Sequence, residues 1–408
     1  MKNFKNIIIG GGAAGLLAAI FIKKSGQPVV VLERNARVGK KILATGNGRC
    51  NYTNVGATRE DYYSDNPDFV EQVLQQFSPQ EVISFFEDLG IAHKVEEEGK
   101  VFPMSDQASS VLDVLRYELD EENVLCNAFV KEIGRTEGGY RLELEDGRQL
   151  FGKTVLIATG GKAMPSTGSD GNGYRLAEQL GHRITPLRPS LVQLMLAADG
   201  LQAISGVKFK GVATLMCDGK TIQRESGDVL FANYGVSGPP ILQLSAVAGA
   251  LIGKNKQPSV SLNLLPEFED SALLSHLYAR FHGRPDKPLA FALIGLINKR
   301  LIPRVIRAAG IASGQILAGS LSNREMKALA DIMQNWTFPI RGTKSWPSAQ
   351  VTAGGVDTAE IHPTMASTKH PGLYFAGEVV DVDGRCGGYN LHWAWVSAAV
   401  AAENMVSR

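Results

Sequence analysis

Near the start of the chain an apolar run, Asn6-Ile7-Ile8-Ile9, stops at three glycines, Gly10-Gly11-Gly12. The run is short, continuous and β-branched, the pattern of a strand buried on both faces. Leu16 to Lys24 has helical composition, Gly26 ends that stretch, and Pro28 to Leu32 is a second apolar run closing on Glu33. Strand, helix and strand in this order predict a β-α-β unit.

Downstream the pattern predicts helices over Asp68 to Gln76 and Ser78 to Leu89. Ser78 is the N-cap of the second and Pro79 its first turn. Val82, Phe85, Phe86 and Leu89 recur at helical spacing and read as core. Gly99 to Met104 is extended and Ala108 to Leu119 is a helix. Val124 to Ile133 and Tyr140 to Leu144 are strands, with Glu137-Gly138-Gly139 turning into the second. Thr154 to Ala158 is a buried strand running into Thr159-Gly160-Gly161. Ser169 to Gly173 opens a helix from Tyr174 to Leu180.

The pattern changes around Pro186 to Pro189. From Ser190 to Leu264 it becomes short alternating strands and turns, such as Val207 to Cys217 and Lys220 to Arg224, which predicts a β-rich insert. Gly235-Val236-Ser237-Gly238-Pro239-Pro240 precedes an apolar helix, Ile241 to Leu251. Asp270 to Phe281, Leu289 to Leu301 and Asn323 to Asn335 read as helices nested in the insert, and Trp336 and Trp346 flank the return. Gln350 to Val356 and Gly372 to Glu378 are strand-and-turn segments, Asp381 to Asn390 is a glycine-rich loop, and Leu391 to Val406 is a closing helix. The expected division is 1–189 and 350–408 for one discontinuous α/β domain, with 190–268 β-rich, 269–336 helical and 337–349 the return of the insert.

Composition excludes little. Among 408 residues, 42 basic and 41 acidic side chains leave a net charge of +1, so no bulk electrostatic pull toward nucleic acid follows. The first apolar run is too short for a signal peptide, and no stretch is long enough to span a membrane. Cys50, Cys126, Cys217 and Cys386 have neither CxxC spacing nor disulfide-scaffold density. A cytoplasmic protein without a metal is expected.

The chemistry lies in the glycines. Gly10-Gly11-Gly12-Ala13-Ala14-Gly15 is a G-x-G-x-x-G between strand and helix, with an acid at the tip of the second strand. Gly10 permits the tight turn, Gly12 lets a pyrophosphate approach the backbone, and Gly15 lets helix and strand pack closely. The helix N-terminus offers N–H groups and partial positive charge. Glu33 can accept from a ribose and would repel a 2′-phosphate, so the expected ligand is FAD or NAD rather than NADP. Arg34 to Asn54 has the glycine, cation and amide content of a loop that lines a long polar ligand. Ala158-Thr159-Gly160-Gly161 is a second close backbone approach, and the closing helix N-terminus a second set of N–H groups.

Together with Tyr374-Phe375-Ala376-Gly377-Glu378 and Gly387-Gly388-Tyr389-Asn390, these motifs resemble the two-dinucleotide-binding-domain flavoproteins. Thr45-Gly46-Asn47-Gly48-Arg49-Cys50-Asn51 and the Val351–Val356 strand are similar to the HI0933-like (BaiN-type) NAD(P)/FAD-dependent oxidoreductases, with Tyr234 to Pro239 as the marker in the insert. The resemblance covers nearly the whole chain. It implies a Rossmann-like FAD domain interrupted by a β-barrel-like domain and a small helical domain, with substrate entering between FAD domain and insert. It implies that adenosine meets Glu33, Arg34 and the Val130 backbone. The diphosphate would meet Gly12, Ala13, Ala14, Lys40 and Lys41. The flavin would lie near Thr45, Gly46, Gly48, Cys50, Asn51, Gly377, Glu378, Asp381 and Gly387 to Leu391. No second strand–GxGxxG–helix unit exists, so NAD(P)H, the expected reductant, would bind briefly at the flavin face, or another reductant would serve.

Candidate acids and bases beside the ring are Asp381, Asp383, Arg385, Tyr389 and His392, with Arg49 in the other loop. Arg385 or Arg49 can stabilise a reduced anionic flavin or polarise a carbonyl, and Tyr389 or His392 can supply a proton. A hydrogen-bonded structural role is the favoured reading of His392. Cys50 and Cys386 are a redox pair in the sharper reading and two small buried residues in the favoured one. The expected activity is oxidoreduction of a small organic molecule, with an enone C=C bond as one candidate. The alternative is a flavoprotein acting on a macromolecule such as tRNA, through Lys208, Lys210, Lys299, Arg300, Arg304 and Arg307. A charge group of that size is usually a solvated face. A flavin carrier without turnover is the third option, and oligomeric state stays open.

Overall fold

The computed structural model describes residues 2–407. The chain divides into two compact units, Met1–Pro189 with Trp346–Arg408, and Ser190–Ser345.

The first unit is built on a Rossmann-like sheet. Strand β1 (Lys2–Ile9) pairs in parallel with β2 (Val29–Leu32) on one side and with Gln149–Ile157 on the other. Helix α1 (Ala13–Lys24) crosses between β1 and β2, as its helical composition predicts. The long strand Gln149–Ile157 forks. Its last residues pair in parallel with Leu373–Phe375, and its first residues pair antiparallel with Gly139–Leu144, beyond which lies Val130–Thr136. The apolar central strands are buried throughout, which fits a parallel sheet covered on both faces.

The closing helix Tyr389–Val406 packs on α1. Trp393 and Trp395 are buried there with Ala394, Ala398, Ala399, Ala401 and Ala402, against Leu16, Ala18 and Ala19 in the same core. Small side chains let two apolar helices approach closely, and the tryptophans fill the space at the helix start.

Two expected elements differ. Val124 to Ile133 is not one strand. Val124–Leu125 pairs with β2 at one sheet edge, whereas Val130–Thr136 lies at the opposite edge. Asn127 breaks the run, with φ +52° and its N–H donating to the Asn35 carbonyl at 3.0 Å. Asparagine tolerates the left-handed region, so alternation alone hid this turn. Leu289 to Leu301 is not one helix either. Helix exists over Leu289–Ala292 and again over Ile302–Ala308. Gly295 sits at φ +85°, and the Asn298 Oδ1 accepts the Arg300 N–H at 3.0 Å, a local turn that competes with helix.

In the second unit six strands close into a barrel, in the order Leu194–Leu196, Gly235–Ser237, Lys220–Ala232, Lys208–Cys217, Ser259–Asn263, Trp336–Thr343. Lys220–Ala232 runs well past the short strand expected to Arg224. Phe231, Trp336 and Phe338 pack edge and face inside this unit, at 5.0–6.2 Å between ring centroids. Helix Pro239–Gly253 and the helices Asp270–Gly283 and Asn323–Asn335 share its core.

His182 is a buried polar anchor of the first unit. Its Nε2 lies 2.9 Å from the Ser367 hydroxyl and its Nδ1 3.2 Å from Glu360, with His370 and Lys369 nearby. Burial pushes its pKa down to about 4, against the opposing pull of Glu360. The unfolded chain therefore binds a proton near pH 6.5 that the folded protein refuses until about pH 4. Stability from this group is full above pH 6.5 and is lost as the pH falls to 4, by roughly 3 kcal/mol. Urea denaturation at pH 7.5 and 4.5 should show a smaller loss for His182→Gln than for the wild type. Equal losses would remove His182 from the account.

Candidate functional site

The glycine turn at the end of β1 closes by contacts that admit no side chain. At Gly10, φ is +108° and a Cβ would lie 2.4 Å from the Ala158 carbonyl oxygen. A Cβ at Gly15 would lie 1.9 Å from the Gly10 oxygen, where helix crosses strand. Gly12 differs, since a Cβ there would meet nothing within 4 Å. Gly12 is the N-cap of α1, and no side chain caps that helix, so its first N–H groups are left without a side-chain acceptor.

Glu33 holds this turn together. Its Oε2 accepts the Gly11 N–H at 2.9 Å, and its Oε1 accepts from the Asn35 N–H and Nδ2, each at 2.7 Å. A carboxylate has about four acceptor positions, so one direction is left for a ribose hydroxyl. Arg34 pairs with Asp170 and lies over the Phe129 ring at 4.5 Å. Lys40 donates to Asn35 at 3.1 Å. The Val130 carbonyl accepts from the Asn172 Nδ2 at 3.0 Å. Gly160 sits at φ +71° beside the Ser169 hydroxyl, and Thr159 packs on Gly173.

Glu378 joins the two ends of the chain. It accepts from Lys41 at 2.6 Å and from the Thr352 N–H at 2.9 Å, and a Cβ on Gly161 would fall 2.5 Å from it. The Thr352 hydroxyl accepts the Lys162 and Ala163 N–H groups. Gly377 is held by a bond from its N–H to Ser397 Oγ at 2.9 Å and by Trp393 Nε1 donating to its carbonyl at 3.2 Å.

The two loops expected beside a flavin meet. In Thr45 to Asn51, Gly46, Asn47, Gly48 and Cys50 all adopt positive φ. Cys50, at φ +62° and fully buried, is the strained non-glycine member. Asn54 Nδ2 donates to the Gly387 carbonyl at 3.0 Å, and Trp395 Nε1 donates to the Tyr52 carbonyl at 2.8 Å. A Cβ on Gly388 would lie 2.4 Å from the Thr53 carbonyl oxygen. Asn390 brackets its own loop through the Gly384 N–H and the Gly384 and Arg385 carbonyls. Leu391 packs against the core of this unit.

Burial sets the protonation states here. The Cys50 thiol is pushed up to about 12 and Cys386 is also raised, so neither is a ready thiolate. His392 is buried, 2.9 Å from the Thr53 hydroxyl through Nδ1, and its pKa falls to about 4, so it is neutral. Burial raises Asp381, against a hydrogen bond from Thr185, and raises Tyr389, whose neighbour is Asp61. Arg49 is engaged by carboxylates outside the 381–391 loop. It binds Glu96 and Asp106 at 2.5 and 2.6 Å and lies on Phe102 at 4.1 Å. The Arg385 N–H donates to the Asp61 carbonyl at 2.9 Å.

These residues fit a dinucleotide. The α1 N-terminus is uncapped above open space at Gly12, and Asn51 Oδ1 and Ser169 Oγ are buried polar atoms without a protein partner. Asn35, Thr352, Ser397, Trp393 and Asn172 were not singled out in the sequence. Each acts on the backbone or side chain of a residue that was, and no spacing rule marks such supports.

The sequence model of the HI0933-like protein Rossmann domain matches residues 4–404. The 3-dehydro-bile acid delta(4,6)-reductase of Clostridium scindens is 36% identical over 406 residues, covering 98% of both chains. The ribosomal RNA dihydrouridine synthase of Escherichia coli is 35% identical over 415 residues, covering 100% of this chain and 99% of that one. Among solved structures, 3-ketosteroid delta1-dehydrogenase from Sterolibacterium denitrificans has a TM-score of 0.54 at 12% identity over the full length of both chains, a likeness of fold.

Two glycine substitutions separate folding from cofactor binding. Gly12→Ala should leave the melting temperature of the cofactor-free protein unchanged, yet weaken FAD binding at least tenfold by isothermal titration. Gly15→Ala should lower the melting temperature of the cofactor-free protein itself. Equal effects on both properties would contradict the open space at Gly12. A Cys50→Ser, Cys386→Ser double variant should keep the wild-type rates of flavin reduction and re-oxidation, followed by the flavin absorbance; a loss beyond tenfold would restore the redox-pair reading.

Proposed function

The chain belongs to the HI0933-like family, and we propose that it is an FAD-dependent oxidoreductase that saturates a carbon–carbon double bond conjugated to a carbonyl. One observation carries this reading. Two full-length relatives with dissimilar substrates bear names that describe the same bond chemistry. A 3-dehydro steroid with Δ4,6 unsaturation is a conjugated ketone. Dihydrouridine is uridine with the double bond beside its C4 carbonyl reduced. In both cases hydride adds to the carbon remote from the carbonyl, and a proton adds to the nearer one.

FAD, when bound, supplies the hydride. The α1 N-terminus and Gly12 receive the diphosphate, Glu33 receives the ribose, and the joined loops at Thr45–Asn51 and Gly387–Leu391 hold the ring. Negative charge gathers on the substrate carbonyl oxygen as hydride adds, so a fixed donor there lowers the barrier. Arg385, in the loop that precedes the closing helix, is the cation we assign to that oxygen. NAD(P)H is the proposed reductant, bound transiently at the open ring face. A small enone is the first substrate class. A uridine within RNA is the second reading, favoured by the name of the Escherichia coli relative and by the exposed Lys210, Lys299 and Arg300.

Anaerobic stopped-flow mixing of the yellow protein with NADH and with NADPH should bleach the flavin band with one of them. A conjugated enone added afterwards should restore the band. Arg385→Met should slow that second phase about 100-fold and leave the first within twofold. Reduced enzyme that no conjugated carbonyl compound re-oxidises, uridine-containing RNA included, would overturn the assignment.

A further inference from the structure

A groove of about 290 Å³ opens on the unit Ser190–Ser345. One wall is the start of the strand Lys208–Cys217. The other is the irregular stretch from Gly295 to Leu301 that replaces the expected helix. Its size is at the small end of ligand pockets, which run from roughly 300 to 1,000 Å³. That suits a single base and its sugar rather than an extended dinucleotide.

Three kinds of group meet there. Phe209 lines the groove, half-buried, with its ring backed by Phe231 at 5.7 Å and an interplanar angle of 29°. The supported ring is a rigid shelf for a flat ligand. Asn298 also lines the groove. Its Oδ1 takes the Arg300 N–H, and its NH₂ end is a donor suited to a base edge. Lys208, Lys210, Lys299 and Arg300 are exposed on the same two segments. Asp228 is the carboxylate on this edge and binds Lys208 at 2.7 Å. Arg300 is steadied by its bond to the Ala203 carbonyl at 2.9 Å.

An aromatic shelf, an amide and a cationic edge make the combination that binds single-stranded nucleic acid, where bases stack and phosphates meet lysine and arginine. We propose that this groove holds one unstacked base of a single-stranded RNA, stacked on Phe209, with Lys210, Lys299 and Arg300 on the flanking phosphates. The proposal rests on the second reading above, in which the reduced uridine lies in RNA. It assigns the RNA a hold on the insert besides the one at the flavin. The chain's balanced net charge is no obstacle, because this edge carries its own local excess of cations.

The test is fluorescence anisotropy of a labelled twelve-residue oligouridylate titrated with the FAD-loaded protein, at several salt concentrations. Binding should weaken steeply with salt. Lys210→Glu with Lys299→Glu should weaken it at least tenfold and flatten the salt dependence. At about 0.7 of logarithmic slope per phosphate contact, the flattening should be near 1.4. Phe209→Leu keeps the apolar volume and should weaken binding about tenfold without changing the slope. Reduction of a small soluble enone should be unchanged in both variants. Oligouridylate binding that ignores both variants, or no binding at 50 mM salt, would overturn the site. So would equal affinity for uridine monophosphate or for oligothymidylate. No RNA binding by the unaltered protein, with its enone turnover intact, rejects this groove alone. RNA binding intact with no conjugated carbonyl reduced rejects the reaction alone.

Discussion

Everything in the first unit depends on a missing methyl group. At Gly15 the helix passes so close to the Gly10 carbonyl that a Cβ would sit within 1.9 Å of it. That approach sets the height of α1 above the sheet and aims its N-terminus across the open space at Gly12. Neighbouring glycines meet the same demand on other walls, Gly10 against Ala158 and Gly388 against Thr53. The ligand site is therefore shaped by backbone surfaces more than by side chains, and side chains act as ties between them.

Those ties explain why the site is assembled from distant pieces without distortion. Glu33 fixes the first glycine turn by binding Gly11 and Asn35 at once. Glu378 does the equivalent for the return segment, joining Lys41 to Thr352. Each carboxylate is satisfied by N–H donors it cannot lose without opening a turn. The buried tryptophans extend the pattern, since Trp393 and Trp395 spend their indole N–H groups on the carbonyls of Gly377 and Tyr52.

How much of this was legible follows from what a local pattern can carry. The β-α-β unit was readable because run length, glycine spacing and the terminal acid all sit within thirty-odd residues. The two loops at Thr45–Asn51 and Gly387–Leu391 were readable as loops, and their meeting was supplied by family resemblance. Arg49 shows the limit. Its position in a ring-side loop made it a candidate, but the carboxylates that claim it, Glu96 and Asp106, lie about fifty residues on and have no motif. Asn127 and Gly295 show another. A single residue entering the left-handed region ends an element whose hydrophobic pattern runs on. Asn35, Thr352 and Ser397 were silent because a hydroxyl or amide bonded to a distant backbone N–H leaves no periodic trace.

The closing helix has a consequence for how the protein is made. Its apolar face completes the core over α1, yet it is made long after α1, beyond the whole of the insert. At synthesis rates of roughly 5–20 residues per second, β1, α1 and β2 would wait on the order of half a minute for it. Through that interval the buried faces of Leu16, Ala18 and Ala19 have no covering layer. The glycine turn meanwhile lacks the Lys41–Glu378 tie. The newborn N-terminal half therefore keeps apolar surface exposed until the closing helix is made, the condition in which chains of this size are prone to aggregate.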